Sequence, residues 1–522
     1  MKIKILFVAA AFVLGSTACN KQLDLESTRV ATEAANWDSY DDARSGLISM
    51  YGLFRAAVAD NNSHWMFGEL RNGDFKSVKR PDLKAVIDGN LSASYTLIDN
   101  ITDWRRFYAI INSCNVFMEK SAGCLVDARY TKAYHNLDIA QARALRAFAY
   151  FYMVRIWGDV PLITTSGEGK DFPQYARTDK NAVLTFCENE LIAVAPDLPY
   201  LYSVSGEDFK YPNNYYDYSQ SEWAGRPFSR IMAYALLAHI AAWKEDYVNA
   251  AVYTEFIINN YSKSRLSTVS TSTMVSTSNS GLFNRGTDGT SIYPIFSFSF
   301  LKQDGEATVN GHIEQLTLAN TPTFAMSKLL PDIYIPKEVI TEMFANTNGK
   351  DERFGLDPTA TEAGTLVTTY FENYNADVPV FKKVRIVDDG QGSGMFAQFT
   401  SALVFTRLEE IMLLRAEALA VLGKYTEATT LLNSVRTSRG LDNTLGTSTD
   451  RDAIIKEIFA ERRRELAGEG WRWYDQVREN RILKDNPVFN ELINKDGIYW
   501  PIAQDVLDKN TKLVQNSYWT GK

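Results

Sequence analysis

Three glutamates near the C-terminal end have the clearest potential for chemistry. Glu461, Glu465 and Glu469 are spaced four residues apart, so on a helix they share one face. Paired carboxylates can hydrolyse a glycosidic bond when they lie about 5 to 10 Å apart across a sugar. The neighbouring arginines would keep these acids ionised, and ion-pair networks of this kind are commonly structural. We therefore predict a structural role for the glutamates and no enzyme activity.

Histidines and cysteines indicate neither a metal nor a catalytic nucleophile. The chain contains four scattered histidines without metal-ligand spacing: His64, His135, His239 and His312. Beyond Cys19, it has three cysteines without a CxxC pair: Cys114, Cys124 and Cys187. They could be small buried residues, or the first two could pair. There is no Gly-x-Ser-x-Gly elbow. We expect no catalytic residue, metal or cofactor.

Aromatic residues, 12% of the chain, offer a better functional signal, because many lie in polar segments. Sugars stack their C–H faces on aromatic rings, and their hydroxyls need directed polar partners. Three segments fit this pattern. Their candidate ligand-binding residues are Trp65, Phe67, Arg71, Asp74 and Tyr95; Tyr215, Tyr216 and Tyr218; and His312 and Phe324. Any one of these side chains could instead belong to the core or to a protein interface, where tyrosine is also favoured.

Helical periodicity dominates both ends of the chain and must position these segments. Apolar residues at a spacing of three to four predict helices over 39–59, 104–120, 134–157 and 181–195. The third should stop at Gly158, because glycine permits a left-handed residue there and Pro161 forbids continuation.

Two later helix pairs contain an internal repeat of Ala, Tyr and Ala at one spacing. The repeated residues are Ala238, Tyr247 and Ala250, then Ala416, Tyr425 and Ala428. Small residues let two helices approach closely and the tyrosine fills the wedge at the turn, as in tetratricopeptide repeats. Generic helical hairpins are the alternative interpretation.

The middle of the chain, about 262–400, has a different character. Residues 262–280 are rich in Ser and Thr and predict a loop, and the alternation over 290–300 predicts a short strand. Residues 301–335 and 355–400 mix loop and strand patterns. Helices from both ends therefore enclose an irregular middle within one globular unit.

The first residues read as an export signal. Lys2 and Lys4 precede a short apolar run over 5–14, and small residues lead to Cys19. We predict a lipoprotein signal peptide over 1–18 and a mature chain that starts at a lipidated Cys19. Ser16 stands where leucine is usual, so an ordinary signal peptide with an incidental cysteine is the alternative.

The net charge of −8, without a basic patch, argues against nucleic acid as a partner.

Several motifs, in this order and spacing, resemble the SusD/RagB family of outer-membrane lipoproteins. They are Leu23 and Asp24 after Cys19, WRRFYAIINSCN at 104–115, RAFAYF at 146–151 with GDVPL at 158–162, AEA at 416–418, ERRREL at 461–466, and WPI at 500–502 with QN at 515–516. The resemblance covers nearly the whole chain.

This resemblance implies a mainly α fold. A tetratricopeptide-like helical-repeat scaffold would carry an irregular, loop-rich ligand-binding part with short strands. It implies one unit over 19–522, with an N-terminal half over about 19–225 and a C-terminal half over about 226–522. It also implies a non-catalytic protein, lipid-anchored in the outer membrane and facing the cell exterior. Such a protein captures oligosaccharides and acts as a lid on a SusC-like TonB-dependent transporter.

Three other functions stay open at this point. A minority of the family binds peptides, which gives a RagB-like alternative with a different ligand class. A surface glycosidase would need Glu465 or Glu469 in a cleft. A pure interaction protein would use the repeat scaffold to bind only other proteins.

Overall fold

The computed structural model describes residues 37–167, 173–204, 210–347, 349–356, 366–389, 396–441 and 449–522. Cys19 and the predicted signal peptide lie outside these residues. The longer helices are α1 (Tyr40–Ala59), α2 (Pro81–Ile87), α3 (Thr96–Thr102), α4 (Arg105–Lys120), α5 (Lys132–Trp157), α6 (Lys180–Val194), α7 (Arg230–Trp243), α8 (Tyr247–Asn260), α9 (Lys337–Phe344), α10 (Leu408–Val421), α11 (Tyr425–Thr437), α12 (Arg451–Glu465), α13 (Arg472–Leu483), α14 (Pro487–Asn494) and α15 (Gln504–Lys509). The prediction of a mainly α fold is confirmed.

The helix ends follow local chemistry. Ser39 caps α1: its Oγ accepts a hydrogen bond from the Asp42 N–H at 3.1 Å, and the Asp42 carboxylate accepts one from the Ser39 N–H at 3.1 Å. α5 stops at Gly158, which has a φ of 72°. A left-handed residue there costs glycine little, which is why the helix ends where the sequence predicted.

Helix α5 lies at the centre of the core. Nearly every residue from Leu137 to Trp157 is buried, because α1, α4 and α6 pack around the helix. A helix that is buried on all sides needs neighbours on all sides.

The two repeated motifs form helix pairs. α7 packs against α8, α10 packs against α11, and α8 joins the two pairs by packing against α10. Ala238, Ala250, Ala416 and Ala428 are fully buried at these contacts. The small side chains permit the close approach that the sequence predicted, which agrees with a tetratricopeptide-like scaffold.

The strands are short and pair two by two. They are β1 (Lys76–Ser77), β2 (Pro294–Phe298), β3 (Ile333–Tyr334), β4 (Gly355–Leu356), β5 (Leu366–Val367), β6 (Phe371–Glu372), β7 (Val380–Phe381), β8 (Val387–Asp389), β9 (Gln398–Phe399) and β10 (Leu403–Arg407). The antiparallel pairs are β1–β3, β2–β10, β4–β5, β6–β7 and β8–β9. The strand predicted over 290–300 is therefore present as β2.

Strand β2 connects the irregular middle to the helical core. Its residues are all buried, and Leu403 of β10 lies opposite Phe298. The Phe298 ring stacks on Phe54 of α1 with a centroid distance of 5.2 Å. This contact holds the chain after β2 beside α1.

The Ser/Thr-rich stretch over 262–280 is not entirely loop. It contains a one-turn helix, Thr271–Met274, because the Ser270 hydroxyl caps it by accepting a hydrogen bond from the Thr273 N–H at 3.1 Å.

Cys114, Cys124 and Cys187 are buried free thiols, so the first two do not pair. None of the helices in the described ranges combines the length and apolar character that crossing a bilayer requires.

Candidate functional site

The first predicted segment, around Trp65, is buried and contacts the C-terminal part of the chain. Trp65 is 4% exposed and its indole N–H donates to the carbonyl of Gly468 at 3.0 Å. Phe67 lies edge-on against Trp500 with ring centroids 5.1 Å apart. Neither ring offers a face to solvent, so neither can stack on a sugar in this conformation.

Arg71 and Asp74 continue the same internal contact. The Arg71 guanidinium is 1% exposed and donates to the carbonyl of Ile498 at 2.8 Å. Asp74 forms ion pairs with Arg463 at 2.6 Å and Arg472 at 3.2 Å. Burial acts to raise the Asp74 pKa, but the two arginines outweigh it and hold the pKa below its ordinary value. Both side chains therefore bind the C-terminal part of the chain, and neither lines the cleft described below.

The tyrosine segment is divided between the core and the surface. The hydroxyls of Tyr215 and Tyr216 donate to the buried carboxylate of Asp138, the latter at 2.5 Å, and Tyr130 donates to it at 2.9 Å. Burial is the largest effect on Asp138 and raises its pKa to about 7. Tyr215 and Tyr216 are thus core residues, whereas Tyr218 reaches a cleft described below.

The remaining candidates are His312, Phe324 and Tyr95. His312 is 1% exposed, and its Nδ1 lies 3.0 Å from the Ser401 hydroxyl oxygen. Phe324 is half-buried beneath the Arg385 guanidinium, 5.5 Å from its ring centre. Tyr95 is half-buried and precedes α3. Of the ten predicted residues, Tyr218 is the one that appears in the lining of the cleft described below.

The glutamates on α12 and just after it form a buried ion-pair network. The Glu465 carboxylate accepts hydrogen bonds from Arg439 at 2.7 Å, Arg407 at 2.8 Å and Arg353 at 2.9 Å. Burial acts to raise the Glu465 pKa, but Arg439 and Arg407 outweigh it and hold the pKa well below the ordinary value. An acid that stays ionised cannot protonate a leaving group. The geometry fits the predicted structural role.

A surface cleft of about 370 Å³ opens between α1, the segment that follows Tyr218, and the chain that follows β2. Ligand sites commonly span roughly 300 to 1,000 Å³. We refer to this space as the cleft. Its lining consists of Leu47, Ile48, Tyr51, Gly52 and Arg55; Tyr218, Glu222, Trp223, Arg226 and Pro227; and Ser297, Phe298, Ser299, Leu301, Asp304 and Glu306.

One wall of the cleft is a face of α1. Ile48, Tyr51 and Arg55 lie three and four residues apart and therefore line up along the helix. Gly52 lies between them, and a Cβ built on it meets no atom within 4 Å. The glycine therefore leaves part of the wall open.

The opposite wall is aromatic. Tyr218 meets Trp223 edge to face, and the Arg44 guanidinium donates to the Tyr218 hydroxyl oxygen at 2.9 Å. Trp223 ends a one-turn helix, Gln220–Trp223, and its indole N–H donates to the Tyr215 carbonyl at 2.9 Å. Both rings are half-buried, so each keeps part of its surface for a ligand.

Polar groups form the rim beside these rings. Arg55 donates to the Ser299 carbonyl at 2.8 Å and pairs with Glu306 at 2.6 Å. Arg226 donates from Nε to the Ser299 hydroxyl at 3.1 Å. Hydrogen bonds from Ser219 hold the Glu222 pKa below its ordinary value, so this carboxylate is an acceptor at neutral pH. The rim thus offers both hydrogen-bond donors, on Arg55 and Arg226, and acceptors, on Glu222 and Glu306, beside the aromatic wall.

The sequence analysis did not identify the residues of α1 that line the cleft, although their pattern differs from that of a simple core helix. The apolar stripe that predicted α1 runs through Leu47 and Phe54 toward the core. Ile48, Tyr51 and Arg55 form a second stripe, and Ile48 is 43% exposed. An apolar residue that is offset from the core face is a reason to look for a ligand or partner.

Within the described ranges, no group of His, Cys, Asp and Glu is arranged to hold a metal ion.

Comparisons with known proteins agree with this architecture. A sequence model of the SusD family matches residues 361–519. The crystal structure of a SusD superfamily protein from Bacteroides thetaiotaomicron is 44% identical, with a TM-score of 0.82 over 92% of this chain and 99% of that one. SusD-like protein P38 of Formosa agariphila is 25% identical over 99% of this chain and 98% of its own length.

More distant structures share the fold. A SusD-like carbohydrate binding protein from Bacteroides vulgatus is 17% identical, with a TM-score of 0.59 over 85% of this chain and 84% of that one. These similarities identify the mainly helical fold as SusD-like. At 44% identity over almost all of a solved relative, the chain belongs to the SusD family.

Proposed function

We propose that this protein captures an oligosaccharide in the cleft and delivers it to a SusC-like TonB-dependent transporter. The observation that carries this proposal is the cleft itself, in which Tyr218 and Trp223 face the polar side chains of Arg55, Glu222 and Arg226. A sugar ring needs both an aromatic surface and directed hydrogen bonds. The carbohydrate binding protein from Bacteroides vulgatus, which has the same fold, supports this ligand class.

The cellular setting of the proposal comes from the family and from the leader. Family membership supports a place at the outer membrane and a transporter as partner. Lipidation of Cys19 would tether the mature chain to the outer membrane, on the side that faces the cell exterior. Capture and release need no chemical step, and the buried, arginine-paired state of Glu465 supports a binding protein without catalysis.

The direct test is calorimetric titration of residues 20–522 with soluble polysaccharides and, separately, with a peptide digest. We expect heat from at least one glycan and an affinity that depends little on salt, because an uncharged sugar carries no charge for salt to screen. Heat from the digest alone would replace this proposal with the peptide-binding, RagB-like alternative. Absence of binding to both would contradict capture by this chain alone.

A matched pair of variants locates the site. Gly52→Leu places a side chain in open space at the cleft wall, whereas Gly52→Ala adds a single methyl group there. Both replacements remove a glycine from the interior of α1, which stabilises the helix by about 1 kcal/mol. We expect Gly52→Leu to abolish glycan binding and Gly52→Ala to keep most of it. Equal binding by both variants would place the sugar elsewhere.

A further inference from the structure

A second cavity, of about 440 Å³, adjoins the cleft. The two spaces share Glu222, Arg226 and Leu301 as lining residues. A ligand that leaves the cleft across Arg226 therefore enters the second cavity directly.

The second cavity differs from the cleft in the side chains that line it. The cleft is lined by several aromatic and aliphatic side chains, whereas Leu301 is the one apolar residue among those that line the second cavity in the described chain. Hydroxyl and amide groups take their place, from Ser221, Ser278, Asn279 and Thr287. Such a lining cannot stack on a ring but can exchange hydrogen bonds with hydroxyl groups.

Arg226 is oriented at the junction by the protein. Its Nε donates to the Ser299 hydroxyl at 3.1 Å, and its Nη1 donates to the Glu222 carbonyl. Within the part of the chain that the structure describes, no group accepts a hydrogen bond from Nη2. A guanidinium fixed at two nitrogens with a donor to spare can bind a ligand at small entropic cost.

The charges of the second cavity balance. Two cations, Arg226 and Arg285, share its lining with the carboxylates of Glu222 and Asp288. Both carboxylates are held in place: Glu222 accepts from the Ser219 N–H at 2.7 Å and Asp288 accepts from the Ser291 N–H at 2.7 Å. Because these charges offset one another, the cavity gives an acidic substituent no net attraction that would compensate for removing its carboxylate from water, whereas an uncharged polyol can use donors and acceptors alike.

We propose that the second cavity is a subsite for the continuation of an uncharged glycan whose leading rings lie against Tyr218 and Trp223. This inference rests on the proposed function, because it extends the same site. In the cleft, sugar rings stack on the aromatic side chains. Arg226 lines both spaces, and the polar side chains of the second cavity form hydrogen bonds with the sugar hydroxyls.

The test compares chain length and charge. Wild-type protein is titrated with neutral oligosaccharides of increasing length, prepared by partial hydrolysis of whichever neutral polysaccharide binds. The same titration is run with oligogalacturonate, which carries a carboxylate on each ring. Ser221→Trp fills the second cavity from an exposed position that does not line the cleft, and Ser221→Ala is its control.

We expect wild-type affinity to rise with length until both spaces are occupied, and oligogalacturonate to bind at least tenfold more weakly. Ser221→Trp should lose the gain from length while binding short oligosaccharides as wild type does, and Ser221→Ala should keep the gain. The inference would be overturned if Ser221→Trp gained affinity with length as wild type does, or if oligogalacturonate bound as tightly as the neutral oligosaccharides. In either case, loss of binding in Gly52→Leu would still support the cleft as the glycan site. Failure of every glycan to bind wild-type protein would overturn the proposed function and this inference together.

Discussion

Tyr218 meets Trp223 at the cleft with ring centroids 5.1 Å apart and an interplanar angle of 80°. This edge-to-face contact is a favoured aromatic geometry. The Arg44 guanidinium adds a second restraint, since it lies 5.1 Å from the centre of the Tyr218 ring and donates to its hydroxyl. The aromatic wall is therefore largely fixed before a ligand arrives, which lowers the entropic cost of binding.

Removal of the Tyr218 ring should weaken glycan binding. We expect Tyr218→Ala to lose at least tenfold in affinity, equivalent to about 1.4 kcal/mol, because half of the aromatic wall disappears. Tyr218→Phe keeps the ring and gives up only the hydrogen bond from Arg44, so it should bind as wild type does. Calorimetric titration with the glycan that binds wild-type protein measures both. Undiminished affinity in Tyr218→Ala would show that the sugar does not use this wall.

The carboxylate of Glu465 should be essential for stability. Glu465→Gln leaves three buried arginines around a neutral amide, and breaking a buried pair in this way costs about 3 to 5 kcal/mol. Urea denaturation followed by circular dichroism measures the loss. Glu491→Gln is the control, because Glu491 pairs with Lys495 on the surface, and we expect no measurable change in its midpoint. Equal midpoints for the two variants would contradict the role of the network.

Asp138 should make stability depend on pH in the acidic range. Burial raises its pKa to about 7, whereas its ordinary value in an unfolded chain is 3.8. The unfolded chain thus releases this proton at lower pH than the folded protein does. The contribution of Asp138 is complete below about pH 4 and is lost as the pH rises toward about 7.

Asp138→Asn removes this titration while keeping a polar side chain among the tyrosine hydroxyls. We expect the free energy of unfolding to fall less between pH 4 and pH 7 in the variant than in wild-type protein. Denaturant melts at several pH values measure the difference. Parallel pH profiles for the two proteins would mean that Asp138 is ionised in the folded state throughout this range.

Trp65→Ala should affect stability and leave the ligand site intact. The indole is buried and hydrogen-bonded to Gly468, and truncation of a large buried aromatic residue costs about 3 to 5 kcal/mol. At a temperature where the variant is still folded, we expect wild-type glycan affinity. A loss of binding without a loss of thermal stability would restore Trp65 as a ligand contact.

Most of the fold could be predicted because its signals are local. Apolar periodicity and the end signal at Gly158 placed α1 and α5 within a few residues. The alternation that predicted β2 was equally local. The one-turn helix at Thr271–Met274 was missed because a single hydroxyl cap at Ser270, in a run of similar residues, carries no distinctive pattern.

The candidate site was predictable only in part. Tyr218 was identified and lines the cleft, whereas Trp65 and Arg71 are buried and Asp74 is half-buried in ion pairs with Arg463 and Arg472. The sequence around Trp65 mixes aromatic and polar residues, which is the pattern of an exposed loop. The residues that cover this segment in the folded protein are distant in sequence. Arg71 bonds to Ile498 and Asp74 to Arg463, contacts that no window along the chain reveals.

The contacts that bury Trp65 and Arg71 also set the order in which the molecule can be completed. Their partners, Gly468 and Ile498, follow them in the chain by 403 and 427 residues. The segment around Trp65 therefore keeps an unpaired indole and guanidinium until these distant residues pack against it. Such contacts require the closure of a long loop, so we expect full resistance to proteases only after the C-terminal helices have packed.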